Sequence, residues 1–291
     1  MTIIECVPNF SEGRNQDTIE KLASAADSVD GAALLDQTSD RDHNRTVLTI
    51  AGSPEAVAEA AFRAVAQAVE RIDIPIHEGV HPRVGAADVV PFVPVREASL
   101  ELCAEIANQL GMRIFKELGV PVYLYEAAAR TPERARLEVL RSPRFTGDPD
   151  IGKGRHPAAG VSIVGARRFL VAWNVNLHSQ DPEAARAIAR AVRQSSGGLP
   201  AVKSIGLELR SRGQVQVSIN LVDFETTPLH LVFDRIRTEA EARGIEIAGS
   251  ELIGLIPRKA LELSAGHDLR WLVGDRIEDY VLETRIAAAR L

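Results

Sequence analysis

Apolar spacing along the 291-residue chain switches between a period of two and a period of 3.6. It does so twice in the same order: strand, helix, strand, strand, helix, strand. Few architectures accept that pattern, and each pass predicts a sheet with helices packed on one face. In the first pass Ile3–Pro8 is the opening strand, closed by the turn chemistry of Pro8-Asn9. Asp17–Ala26 has helical spacing and ends at Asp30-Gly31. Ala32–Leu35 and Thr46–Ala51 are the next strands, separated by a polar loop, Asp36–Arg45. Ser53-Pro54-Glu55 is an N-cap with proline at the first helical position, opening an Ala-rich helix to about Arg71. Val89–Val93 is a fourth strand, halted by Pro94, and Pro91 within it predicts a sheet edge. Ser99 caps a helix over Leu100–Leu118, and Val122–Tyr125 is a further strand.

Residues 142–165 have no periodicity and are rich in Gly, Pro and basic side chains, so they are expected to form one long loop. The second pass then begins. Phe169–Leu177 is a strand, and Asp181 caps a helix with Pro182 at its first position, running to about Arg193. Val202–Leu209 and Gln214–Leu221 form a hairpin around Ser211-Arg212-Gly213. Thr227–Arg243 is helical and Ile245–Gly249 a strand, with helical segments beyond. The predicted class is α+β, built as two tandem split βαβ modules, although no sequence repeat links them.

Composition narrows the function classes. Apolar residues make up 45% and charged residues 25%, enough for a full core. A net charge of −6 opposes a general nucleic-acid binder. No run approaches the ~20 apolar residues that span a bilayer. Cys6 and Cys103 are too few for a disulfide framework or a zinc cage, which predicts a reducing compartment. The opening MTIIECVPNF lacks the basic and apolar regions of a signal peptide, so a cytoplasmic location is expected.

The densest chemistry lies in Ile76–Asp88. His77-Glu78-Gly79-Val80-His81 is a literal H-E-x-x-H, which binds zinc when a helix puts both imidazoles on one face. Pro75, Gly79 and Pro82 oppose a helix here, and the residue before a proline is pushed away from the α region. What remains is a tight loop carrying two histidines, Glu78, Arg83 and Asp88. A histidine there can serve as a metal-free acid or base, or its ring can simply cap backbone groups. In Asp36–Arg45 the charges alternate in sign, as in a solvated, self-paired loop; Asn44-Arg45 at its end can clamp a carboxylate. Lys153–Arg168 contributes Lys153, Arg155, His156, Arg167 and Arg168 with no acidic residue. It is either an anion-binding zone or a flexible basic loop. Its glycines fit neither G-x-G-x-x-G nor a P-loop.

Several runs together resemble the glutamate formimidoyltransferase family, whose animal members are fused to a cyclodeaminase. They are Glu5-Cys6-Val7-Pro8-Asn9-Phe10-Ser11-Glu12-Gly13, Asn44-Arg45-Thr46-Val47, His81-Pro82-Arg83-x-Gly85-Ala86-x-Asp88-Val89 and Pro91-Phe92-x-Pro94-Val95-Arg96. Further along come Pro121-Val122-Tyr123-Leu124-Tyr125, Gly165-Ala166-Arg167-x-Phe169-Leu170, Asn174-x-Asn176-Leu177, Asn220-Leu221-x-Asp223-Phe224-Glu225 and Gly249-Ser250-x-Leu252-x-Gly254-Leu255-x-Pro257.

The resemblance implies two ferredoxin-like modules flanking a substrate tunnel, an N-terminal subdomain over 1–178 with the catalytic histidine and a C-terminal one over 179–291. It implies transfer of the formimino group of N-formimino-L-glutamate to tetrahydrofolate, without metal, by a homodimer. His81 is the implied catalytic residue, and Asn9, Asn44, Arg45, Arg83 and Asp88 are expected at the substrate. The folate loop maps to Ile151, Gly152, Lys153, Gly154, Arg155, His156, Pro157, Ala158, Ala159 and Gly160. This segment departs from the longer, aromatic-bearing loop of the animal members. A cyclodeaminase activity is expected elsewhere than on these 291 residues. Two other readings share these residues: a formyl donor in place of the formimino one, and a non-catalytic folate-binding protein.

Overall fold

The computed structural model describes residues 1–142 and 144–291. The protein is mixed α+β and divides into two units, Met1–Arg168 with Ala289–Leu291, and Phe169–Ala288. The first contains β1 (Ile3–Cys6), β2 (Asn9–Phe10), α1 (Gln16–Ala26), β3 (Ala32–Asp40), β4 (Arg45–Gly52) and α2 (Pro54–Arg71). It continues with β5 (Ala87–Arg96), α3 (Leu100–Leu118), β6 (Val122–Glu126), the short α4 (Leu137–Leu140) and β7 (Ser162–Ala166). β1 and β2 are two pieces of one edge-to-edge path, set antiparallel between β4 and β5. β3 pairs outside β4, while β7 and then β6 extend the other side in parallel.

Side-chain caps fix where the helices start. Asn15, Ser53 and Ser99 each accept a hydrogen bond from a backbone N–H three residues on, and α3 ends at Gly119 in the left-handed region at φ +70. The alanines of α2 (Ala60, Ala61, Ala64, Ala68) are buried against Ile4, Cys6, Val90 and Phe92. Small side chains let that helix lie close to the sheet, and α3 adds Cys103, Ala107, Leu110 and Ile114 to the same core.

Three expectations about this unit need correction. The segment after Leu35 is not a loop: β3 runs on to Asp40, and only residues 41–44 form the turn. β3 pairs on one side alone, so its outward side chains can be polar without cost. β5 is a central strand rather than an edge, and it passes through both prolines. Pro91 faces Val7, whose N–H donates to the Pro91 carbonyl at 3.1 Å. Its missing donor therefore falls where the neighbouring path breaks between β1 and β2. β7 was expected within the 142–165 loop. It is a fully buried strand between two parallel neighbours, and such strands carry no alternation to betray them.

The second unit contains β8 (Val171–Leu177), α5 (Pro182–Val192), β9 (Val202–Leu209), β10 (Gln214–Leu221), α6 (Leu229–Glu241) and β11 (Ile247–Ile253). Short helices α7 (Arg258–Glu262) and α8 (Leu282–Ala288) follow. Its four strands are antiparallel in the order β11-β8-β10-β9. Connectivity and strand order match β5, β1/β2, β4 and β3 of the first unit. Because β8 pairs with β10 and β11, the division between units falls at Arg168–Phe169, ahead of the expected 178/179. Trp173 centres this core, stacked on Phe233 at 6.4 Å and tilted against Trp271 at 5.8 Å. Among the described residues no helix is long and apolar enough to cross a membrane.

Phe92 is fully buried at the middle of β5. Phe92→Ala is expected to lower stability by about 3–5 kcal/mol, the usual range for an aromatic truncated in a packed core. The shift of the urea midpoint measures it.

Candidate active site

The segment after β1 is built to hold other segments. Asn9 accepts from Arg45 Nε at 3.0 Å and again from Nη2, while its own amide donates to the Val7 carbonyl at 2.7 Å. Ser11 Oγ donates to the Gly85 carbonyl at 2.8 Å, and its backbone N–H to the Ala86 carbonyl at 2.9 Å. Glu12 folds back to accept from the N–H groups of Arg14 and Asn15 at 2.7 and 2.9 Å. The start of the chain thus clamps both the β3–β4 turn and the approach to β5.

Asn44 closes the arrangement. It sits in the left-handed region at φ 48, where Asn is one of the few non-glycine residues tolerated. Its Oδ1 accepts from the Gly13 N–H and its Nδ2 donates to the Glu78 carbonyl, both at 2.8 Å. Both ends of the expected substrate-binding amide are therefore engaged with backbone. Gly79 packs so tightly on this turn that a methyl group there would lie 2.9 Å from Asn44 Cβ. Residues 77–81 are not helical, as Pro75, Gly79 and Pro82 predict. His77 instead accepts a hydrogen bond from Arg83 Nη1, and Arg83 Nη2 donates to the His81 carbonyl at 2.8 Å.

Asp88 opens β5 with its side chain 2% exposed. Oδ1 accepts from the Val84 N–H at 2.8 Å. Oδ2 is paired with Arg141 Nη2 and lies 3.8 Å from Arg45 Nη1. Asp88 thus holds guanidiniums rather than His81. Arg141 and Arg45 flank this buried carboxylate and Arg83 lines the same pocket, an excess of positive charge suited to an anionic ligand. Burial first, then repulsion from Arg141, pulls the Arg45 pKa down to about 9. It remains a cation at neutral pH. Arg141 Nε is buried with no hydrogen-bond partner among the described residues, a donor held in reserve.

His81 lies in the same pocket as Phe10, Ser11, His43 and Arg45. Arg45 Nη1 is 2.6 Å from its Nδ1 and 3.3 Å from its Nε2, and the Pro82 carbonyl is 2.8 Å from Nδ1. Nδ1 can serve one partner at a time. Either it accepts from Arg45, or it donates to Pro82 while Arg45 turns to Nε2. In both cases the ring is neutral and its one lone pair accepts from Arg45. Burial, then the charges of Arg45 and Arg141, hold its pKa well below the usual imidazole range, so that lone pair is present at neutral pH.

The 151–160 segment is near but not in this pocket. Ala159 accepts from the Ala86 N–H at 2.9 Å, Gly160 pairs with Gly85, and Arg155 Nη2 donates to the Val84 carbonyl at 2.8 Å. His156 Nδ1 accepts from the Ala158 and Ala159 N–H groups, a turn-stabilising role. Lys153, Gly154, Arg155 and Pro157 are exposed. Two residues of the site were not anticipated. Arg141 follows a four-residue helix and has no pattern around it that marks a site. His43 stood inside a charged run, and the Asp40-x-x-His43 spacing was its one signal.

The formiminotransferase domain, N-terminal subdomain, matches residues 3–167, and the formiminotransferase domain matches residues 172–273. The chain belongs to the formiminotransferase family. A glutamate formimidoyltransferase from Streptococcus pyogenes serotype M1 is 46% identical over 89% of this chain and 90% of its own length. One from Thermoplasma acidophilum is 41% identical over 90% of each. The formimidoyltransferase-cyclodeaminase of Mus musculus is 43% identical over 89% of this chain but only 51% of its own length.

Asp88→Asn leaves the guanidiniums uncompensated and is expected to cost roughly 3–5 kcal/mol in chemical denaturation. Burial and Arg83 lower the His77 pKa from 6.5 to about 4. Between those values the unfolded chain binds more protons than the folded one, so stability falls as pH falls. The melting temperature is expected to drop from pH 6.5 to 4, with a shallower slope in His77→Asn.

Proposed function

We propose that this protein transfers the formimino group of N-formimino-L-glutamate to N5 of tetrahydrofolate, giving 5-formimino-tetrahydrofolate and glutamate, with His81 as the acid–base residue. The observation that carries the reading is the His81 imidazole, held beside Arg45 in a pocket of excess positive charge, with burial and those charges keeping its pKa low. N5 attacks the formimino carbon, a C–N bond forms, and the N5 proton must leave as the tetrahedral adduct develops. His81 offers its lone pair for it once Arg45 has turned from the ring to the donor. When the bond to the glutamate nitrogen breaks, that nitrogen must gain a proton. General acid–base help of this kind contributes about 10²–10⁴ in rate.

Arg45 and Arg83 bind the carboxylates of the donor, with Asn9 aiming Arg45 and Asn44 fixing the turn that carries it. Asp88 keeps the guanidiniums in place. Lys153 and Arg155, exposed on the 151–160 segment, receive the glutamate tail of the folate. Holding two substrates side by side supplies the larger share of the acceleration. The matching strand orders of the two units support modules of the ferredoxin-like type, the chemistry residing in the N-terminal one. The working form is a homodimer in the cytoplasm and needs no metal.

The test is turnover by the purified protein with tetrahydrofolate and, separately, N-formimino- and N-formyl-L-glutamate. Turnover with the formimino donor supports the reading; turnover with the formyl donor alone replaces it by formyl transfer. Folate binding without turnover of either donor makes the protein a binding protein. His81→Ala is expected to lower kcat by about 10²–10⁴ while folate still binds. Because His81 stays neutral well below its usual range, activity is expected to persist on the acid side of pH 6.5.

A further inference from the structure

The reaction moves protons at two different nitrogens, and the pocket wall carries two imidazoles. His43 is 7% exposed and lines the pocket beside His81, the ring centroids 6.0 Å apart and tilted by 48°. Asp40 Oδ1 accepts from the His43 ring at Nδ1, 2.8 Å away, and from its backbone N–H at 2.7 Å. One carboxylate oxygen therefore sets both the ring and the main chain. With Nδ1 committed to Asp40 as a donor, Nε2 is the ring atom available to the pocket. Arg83 Nη2 reaches the His43 carbonyl at 3.4 Å, tying this turn to the loop that presents His81.

We propose that His43, held by Asp40, is a second proton-transfer residue of the site, acting on the departing nitrogen while His81 acts on the attacking one. The proposal rests on the formimino-transfer reading. The attacking and departing nitrogens are bonded to the same carbon in the adduct, but they leave it in different directions. One imidazole would have to take a proton at the first and swing to deliver it at the second. Two fixed rings remove that swing.

The surroundings divide the work. His81 faces guanidiniums, which discourage charge on its ring and make it release a proton once it has taken one. His43 faces a carboxylate, which fixes its tautomer and the orientation of its ring. The step balances. His81 gains the proton lost by N5 as the new C–N bond forms. Protonated His43 gives one to the glutamate nitrogen as the old C–N bond breaks. Transfer from His81 to His43, whose ring centroids are 6.0 Å apart, restores the starting state.

His43→Asn tests this, because the asparagine amide can still donate to Asp40 from nearly the Nδ1 position while nothing replaces Nε2. Expected are a fall in kcat of about 10²-fold or more, with KM changed by less than about threefold and the melting temperature held. Asp40→Asn should lower kcat by a smaller factor in the same direction. If His43→Asn does not fold, His43→Gln takes its place under the same criteria. A kcat within threefold of wild type, or an effect confined to KM, overturns the proposal while leaving the formimino-transfer reading intact. A wild-type protein silent with both donors overturns that reading, and this proposal with it.

Discussion

The pairing of Asp88 with Arg141 and Arg45 is the interaction on which the site depends. A carboxylate 2% exposed is costly unless charge and hydrogen bonds compensate it, and here a backbone N–H and two guanidiniums do so. The same pairing keeps cations at the pocket, and those cations add to burial in holding the His81 pKa down. Removing the carboxylate would therefore loosen the guanidiniums and change the field at His81 through one cause. The site is a chain of dependence that begins with one buried anion.

Around that core the loops are fixed by main-chain bonds rather than by bulk. Asn44 joins Gly13 to Glu78, Ser11 joins Gly85, and Arg83 joins both His43 and His81 through their carbonyls. Each functional side chain therefore leaves a rigid backbone. Fixed donors and acceptors need little reorganisation when charge moves, which is where enzymes gain most of their electrostatic advantage.

The strand–helix order, the helix caps Ser53, Ser99 and Asp181 and the non-helical H-E-x-x-H segment were readable from spacing, caps and prolines. The resemblance pointed to Asn9, Asn44, Arg45, His81, Arg83 and Asp88, and the structure brings all six into one neighbourhood. What escaped the sequence did so for physical reasons. Polar residues 36–40 belong to a strand because an edge tolerates them, and Pro91 sits in a central strand because its missing donor meets a gap. β7 carries no alternation because both its faces are buried. Arg141 and His43 act through contacts across 53 residues and within a four-residue turn, and local composition gives neither away.

The buried guanidiniums have a consequence for how a ligand arrives. The protein as a whole carries −6, so a dianion in bulk solvent meets a repulsive far field before it meets the attractive pocket. Mobile ions screen the first over a Debye length of about 8 Å at physiological strength, and they hardly reach the second. Moderate salt should therefore quicken the encounter with any such anion while its dwell time in the pocket stays nearly constant. Capture of this kind runs opposite to ordinary electrostatic steering, where ions slow the approach.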